Sequence, residues 1–344
     1  MVKIWGEYKE DLNEMIQNNK EIRWGIIGCG DVTEVKSGPA FQKVKNSRLV
    51  AVMRRDGDLA RDYARRHQVP KWYDDADALI HDDEVDAVYI ATPPAFHKDY
   101  TLKVAQTKKP VYVEKPMGMN YAECQEMILN CQESEVPLFV AYYRRALERF
   151  IKIKEIINQG LLGDIRLVSV LFCRPPLKQD YDHQRHQWWR IDPGISGGGY
   201  FIDAASHMID LLFYFLGEMV FVSGKATNQA GLYQVEDIVS CHFLFKNGVH
   251  GTGCWCYATG TDIDHTEIIG SRGKLSYKTL SAGPVKLELN GQSEILYFDD
   301  PKHIQQPLIQ TIVDELLEQG NCPSHGKSAA MTNWFVDQIF NTTR

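Results

Sequence analysis

From Glu21 onward, short apolar runs alternate with amphipathic stretches of helix length. Arg23-Trp24-Gly25-Ile26-Ile27-Gly28 is an apolar run that stops at glycine, as a strand buried on both faces does. Similar runs are Arg48–Met53, Val69–Tyr73, Val85–Ile90, Pro110–Val113 and Pro137–Ala141. Between them, helices are predicted after Gly28 and at Leu59–His67, Asp74–His81, Lys98–Thr107 and Tyr121–Ser134. In Leu59–His67 the apolar positions Ala60, Tyr63 and Ala64 recur at helical spacing. Strands alternating with helices predict βαβ units on a parallel sheet, an α/β domain over residues 22–143.

After Tyr143 the texture changes. A helix is predicted over Leu147–Gln159, a strand from Gly163 to Cys173, and a Gly- and Pro-rich loop over Arg174–Gly199. One long apolar helix, Tyr200–Leu216, follows. Val220–Phe298 reads as successive strands with turns at Lys246-Asn247-Gly248 and Ser271-Arg272-Gly273. The helices Ile304–Glu318 and Ala329–Phe340 complete an α+β domain, residues 144–344, with a mostly antiparallel open sheet. Residues 1–21 form an N-terminal extension with no assigned role.

Composition narrows the partners. The 344 residues carry 38 basic and 45 acidic side chains, a net charge of −7, which argues against nucleic acid or an anionic membrane as partner. No apolar run reaches the roughly 20 residues of a membrane span, and Met1–Lys20 lacks the apolar segment of a secretory signal. A cytoplasmic location is expected. The 8 cysteines include no CxxC pair; reduced thiols are expected, and no metal site.

The chemistry begins at Gly28-Cys29-Gly30-Asp31-Val32-Thr33, where the first strand hands over to a helix. Glycines there allow a tight turn and close approach of a pyrophosphate to backbone N–H groups. Gly28, Gly30, Asp31 and Val32 are therefore candidates for holding a dinucleotide on a Rossmann-type domain, although Thr33 stands where the fingerprint has its third glycine. At the end of the second strand, where an NAD enzyme places an acid on the ribose, this chain has Arg54 and Arg55. Guanidinium groups suit a 2′-phosphate, so NADP(H) is favoured over NAD(H). The alternative is that both arginines are solvated and Asp56 reaches the ribose.

Two further constellations point into the same crevice. Lys115, in Glu114-Lys115-Pro116, follows an apolar strand and is aimed at the carboxyl edge of the sheet, where it can bond a substrate oxygen. Asp203 and His207 are four residues apart on one face of an otherwise apolar helix, directly after Gly197-Gly198-Gly199. Ionisable groups there require partners or a pocket; three glycines that admit a ligand favour the pocket.

The ordered set Gly28-Cys29-Gly30, Ala91-Thr92-Pro93-Pro94 with His97, Glu114-Lys115-Pro116, and the triple glycine with Asp203 and His207 resembles the Gfo/Idh/MocA oxidoreductases. Tyr142-Tyr143-Arg144-Arg145 and Leu161-Leu162-Gly163-Asp164 fit the same pattern, so the likeness runs through nearly the whole chain from Ile22. The resemblance implies hydride transfer between nicotinamide C4 and a carbinol or carbonyl carbon of a sugar, polyol or related cyclic substrate. It implies that Lys115 and His207 contact the reacting oxygen, His207 as acid/base, with Asp203 orienting the imidazole. It also places Thr92, Pro93, His97 and Glu114 beside the cofactor, and makes Pro116 cis. Thr33, Gly118 and the first twenty residues depart from the pattern.

Gln187-Trp188-Trp189-Arg190 supplies indoles that can stack on a sugar ring and a guanidinium for its hydroxyls. Trp189 and Arg190 are the substrate-side candidates, with Tyr143, Arg144 and Arg174 as weaker ones. Two alternatives to a dehydrogenase are open. One is a variant that retains NAD and uses transient oxidation to cleave a glycoside or epimerise; the other is a non-catalytic dinucleotide sensor. The uncovered face of the C-terminal sheet predicts a homo-oligomer, dimer or tetramer.

Overall fold

The computed structural model describes residues 21–181 and 189–340. The N-terminal extension, Gln187 and Trp188 lie outside them, apart from Glu21. The first sheet comprises β1 (Ile22–Ile27), β2 (Ser47–Met53), β3 (Lys71–Tyr73), β4 (Ala87–Ile90), β5 (Val111–Val113) and β6 (Leu138–Val140). All six are parallel, in the order β3-β2-β1-β4-β5-β6. This is the Rossmann arrangement, and the order reverses between β1 and β4, where a crevice opens at the carboxyl ends.

The helices between the strands are α1 (Asp31–Val35), α2 (Gly38–Phe41), α3 (Gly57–His67), α4 (Ala76–Ile80), α5 (His97–Gln106) and α6 (Tyr121–Glu133). The strand period of two sends alternate side chains to opposite faces. Trp24, Ile26, Tyr89 and Tyr112 enter one apolar cluster, while Ile27, Val88, Val111 and Val113 enter the other.

The segment after the phosphate loop departs from expectation. It is two short helices, α1 and α2: Pro39, in the first turn of α2, has no N–H to continue the preceding helix, and a Cβ at Gly38 would lie 2.1 Å from the Tyr63 hydroxyl and 2.3 Å from the Thr33 carbonyl. The chain folds tightly onto α3 at this point. Thr33 is buried, and its hydroxyl donates to the Gly30 carbonyl at 2.7 Å. Tyr63 Oη donates to the Thr33 carbonyl at 2.8 Å. Those bonds seat a threonine at the position of the missing glycine.

The second sheet follows α7 (Glu148–Asn158). Its strands are β7 (Ile165–Cys173), β8 (Met219–Thr227), β9 (Ile238–Phe245), β10 (His250–Cys256), β11 (Ile263–Gly270), β12 (Gly273–Tyr277), β13 (Val285–Leu289) and β14 (Gln292–Leu296). The order is β14-β13-β12-β11-β7-β10-β9-β8, antiparallel throughout except for the β7–β10 pair. Within the connection from β7 lies α8 (Pro193–Ser196), and the predicted long helix runs as a π-helical turn, Phe201–Ala205, leading into α9 (Ser206–Leu216). The chain ends in α10 (Gln306–Leu316) and α11 (Gly326–Phe340).

One face of this sheet packs on α9 and α11. Trp255 Nε1 reaches Met208 Sδ at 3.1 Å, and the Phe243 and Phe335 rings meet at 5.6 Å. Helix α11 also touches the first sheet's layer: Asn333 Nδ2 donates to the Gly118 carbonyl and Tyr121 N–H to Asp337. A buried ion pair, Arg145–Asp210 at 2.5 Å, ties α9 to the turn after β6, and Arg145 also donates to Pro323 O and Ser328 Oγ. Breaking one partner of such a pair costs about 3–5 kcal/mol, because the other charge stays buried.

Candidate active site

A cleft of ≈ 820 Å³ runs from the phosphate loop, past the carboxyl ends of β2, β4 and β5, to the π-helical turn before α9. Gly28 must be glycine on the protein's own account: its φ is +91°, and a Cβ would meet Thr92 Cγ2 at 2.9 Å. Gly30 is different. A Cβ there would meet no protein atom nearer than the Gly28 carbonyl at 3.9 Å, so it would project into the cleft. The Gly28 and Cys29 amides both donate to the Met53 carbonyl, at 2.9 and 3.1 Å. The leading N–H groups of α1, those of Asp31 and Val32, have no intrahelical acceptor. With α1 limited to 5 residues, these amides rather than a long helix dipole are what the loop offers an anion.

Arg54 and Arg55 are exposed at the end of β2 and line the cleft. Arg55 lies over the Phe96 ring at 5.7 Å. Asp56 lines the cleft as well, and its Oδ1 caps α3 by accepting from the Leu59 N–H at 3.1 Å. On the opposite wall, Pro93 lines the cleft beside Thr92, whose buried hydroxyl has no hydrogen-bond partner among the described residues.

Glu114 sits at the carboxyl end of β5. Its Oε1 accepts from Tyr89 Oη at 2.5 Å and Gln305 Nε2 at 2.6 Å, and its Oε2 from the Lys115 N–H at 3.0 Å. Tyr89 and Tyr112 stack at 4.7 Å, and Tyr112 Oη donates to Gln305 Oε1 at 2.7 Å. The Lys115–Pro116 peptide is cis, as the resemblance implied. His97 does not reach the cleft. It is buried, with Nδ1 2.9 Å from the Pro116 carbonyl and Nε2 2.7 Å from that of Thr92, so it braces the two walls instead of touching a ligand. Burial holds its pKa below the usual value, against the pull of those carbonyls.

Lys115 Nζ donates to Asp203 twice, to Oδ1 at 2.7 Å and to the backbone carbonyl at 2.8 Å. Arg190 Nε donates to Asp203 Oδ2 at 3.2 Å and stacks over Trp189 at 4.4 Å. Desolvation pushes the Asp203 carboxyl up, but Lys115 and Arg190 outweigh it and hold the pKa at about 2. The expected Asp203–His207 contact is therefore not formed. Two cations offer the carboxylate charge-assisted bonds that a neutral imidazole cannot match.

His207 is 5% exposed, its Nδ1 is enclosed without a hydrogen-bond partner among the described residues, and Tyr143 meets it edge-on at 4.9 Å. Burial pushes its pKa well below 6.5, and Lys115, Arg144 and Lys36 push the same way. Tyr143, Arg144, Trp189, Arg190, Asp203 and His207 all line this end of the cleft. Arg174 does not; it stacks on Tyr200 at 4.2 Å. Gln305 and Lys36 are cleft-lining residues that sequence reasoning missed. Gln305 comes from just before α10, nearly two hundred residues from Glu114, with no local motif to mark it.

Residues 22–142 match the oxidoreductase family with the NAD-binding Rossmann fold, and residues 150–276 match the GFO/IDH/MocA C-terminal domain. Oxidoreductase P35 of Formosa agariphila is 39% identical over 321 residues, covering 93% of this chain and 99% of that protein. The chain belongs to the Gfo/Idh/MocA oxidoreductase family. The trans-1,2-dihydrobenzene-1,2-diol dehydrogenase of Mus musculus is 29% identical over 278 residues, covering 79% of this chain and 78% of that one. In fold the chain is similar to the aldose-aldose oxidoreductase of Caulobacter crescentus, with a TM-score of 0.83 at 22% identity, over 94% of this chain and 98% of that one. It is thus an oxidoreductase with an NAD(P)-binding Rossmann fold. Among the described residues no helix is long and apolar enough to cross a membrane.

Proposed function

We propose that this Gfo/Idh/MocA oxidoreductase transfers a hydride between NADP(H) and a carbinol or carbonyl carbon of a sugar, polyol or related cyclic substrate. The observation that carries the reading is the continuity of one cleft, from the Gly28–Gly30 loop to Lys115 and His207. The open space at Gly30 and the unpartnered Thr92 hydroxyl fit a dinucleotide. Gly28, Gly30, Asp31 and Val32 hold its pyrophosphate, and Thr92, Pro93 and Glu114 border its nicotinamide half. When bound, the cofactor supplies the hydride acceptor or donor.

The chain's own residues do the rest. Lys115, held by Asp203, presents a fixed ammonium to the reacting oxygen and stabilises negative charge there. His207, neutral at ordinary pH, takes the proton from an alcohol during oxidation. Asp203 acts through Lys115 and Arg190 rather than through the imidazole. Trp189 gives a flat face for a sugar ring.

Arg54 and Arg55, exposed in the cleft at the end of β2, support NADP(H) over NAD(H). Titration of the enzyme with NADPH and NADH separately tests this: NADPH is expected to bind at least about tenfold tighter. Tighter binding of NADH removes the assignment of the two arginines.

A further inference from the structure

Arg144 follows β6 in the turn that carries Tyr143, and it lines the cleft beside His207. The residue is 7% exposed, and its Nε is enclosed with no hydrogen-bond partner among the described residues. Its described contacts are the flat faces of Tyr143 at 5.4 Å and Phe150 at 6.0 Å. No acid among the described residues pairs with it. The cleft's own acids at this end are taken: Asp203 by Lys115 and Arg190, Glu114 by Tyr89 and Gln305.

The neighbours deepen the imbalance. Arg149, five residues on and also buried, is a second cation rather than an acceptor: it donates to the Ser281 carbonyl at 3.1 Å and lies 3.7 Å from Asp300. Lys36 lines the same cleft and adds a further positive charge near His207. A buried guanidinium without an acceptor is costly unless a partner arrives. Ring faces offset part of that cost but leave its planar N–H fork unused. The loop that would hold the dinucleotide's pyrophosphate lies at the other end of the cleft, so the missing acceptor belongs to the second ligand.

We infer that the substrate is an anionic sugar, whose charged substituent is bound by the Arg144 guanidinium while its ring carbinol faces Lys115 and His207. This rests on the hydride-transfer reading for the location of the substrate. A carboxylate and a phosphate ester share the required chemistry, as planar or near-planar oxygen pairs that the guanidinium fork can grip.

The test is calorimetric titration of the dinucleotide-saturated enzyme with D-glucuronate, D-glucose 6-phosphate and D-glucose. At least one anion is expected to bind about ten- to a hundredfold tighter than glucose. Arg144→Gln is expected to abolish that preference, bringing the anions to within a few-fold of glucose in the same variant, while Arg144→Lys, which keeps a point charge, retains part of it. The tighter of the two anions identifies the source. Near-UV circular dichroism and the unfolding midpoint show whether each variant is folded; if Arg144→Gln is not, Arg144→Lys against wild type decides. Equal binding of anionic and neutral sugars, no measurable binding of either anion, or a preference unchanged in the variants overturns the inference. Turnover is read separately: an intact Arg144-dependent preference without any redox turnover upholds the anion site and sinks the hydride-transfer reading.

Discussion

At the residue scale, the site turns on which group answers Asp203. Sequence spacing placed Asp203 and His207 on one face of a helix, and both do line the cleft. Spacing cannot tell which cations arrive from elsewhere. Lys115 comes from 88 residues earlier and Arg190 from the preceding loop, and together they claim both carboxylate oxygens. His207 is left neutral, its pKa well below 6.5 by burial and by the cations around it. The sign follows directly: a depressed imidazole pKa keeps the base form as pH falls through the usual histidine range. For alcohol oxidation, kcat/KM should therefore stay level from about pH 8 to about pH 6. A histidine-like inflection near 6.5, absent in His207→Gln, would contradict this.

At the element scale, the alternation of apolar runs and helices was enough to read the parallel sheet, because strands buried on both faces read as short continuous apolar runs set between amphipathic helices. The second sheet was also legible, since its hairpin turns at Lys246-Asn247-Gly248 and Ser271-Arg272 carry turn residues that join antiparallel neighbours. What escaped were features decided by tertiary contact. The close approach of Tyr63 from α3 to Gly38, which leaves no room for a Cβ, exists only in the folded chain. The π-helical turn at Phe201–Ala205 has no local signature either, although such turns recur at functional sites. His97 looked like a ligand contact and is a brace, because its two carbonyl partners come from segments that meet only in the folded chain. Gln305 was invisible for the same reason.

At the scale of the whole molecule, the last helix, α11, joins both sheets, and the cleft takes residues from both halves of the chain. The second sheet's other face exposes Leu171, Val220 and Phe221 among polar residues such as Ser240, His242 and Thr252. We propose that a second copy covers it. Light scattering is expected to give at least a dimer, and Leu171→Lys to shift it toward monomer; a monomeric wild type removes the idea.

The central claim is that the dinucleotide cleft becomes a hydride-transfer site through Lys115. The direct measurement follows nicotinamide oxidation or reduction by wild type and Lys115→Met side by side, across sugars, uronates, polyols and dihydrodiols, with dinucleotide binding measured on the same samples. The account predicts that the variant binds dinucleotide as wild type does and loses at least about a hundredfold in turnover. Turnover within a few-fold of wild type, with binding intact, would contradict it.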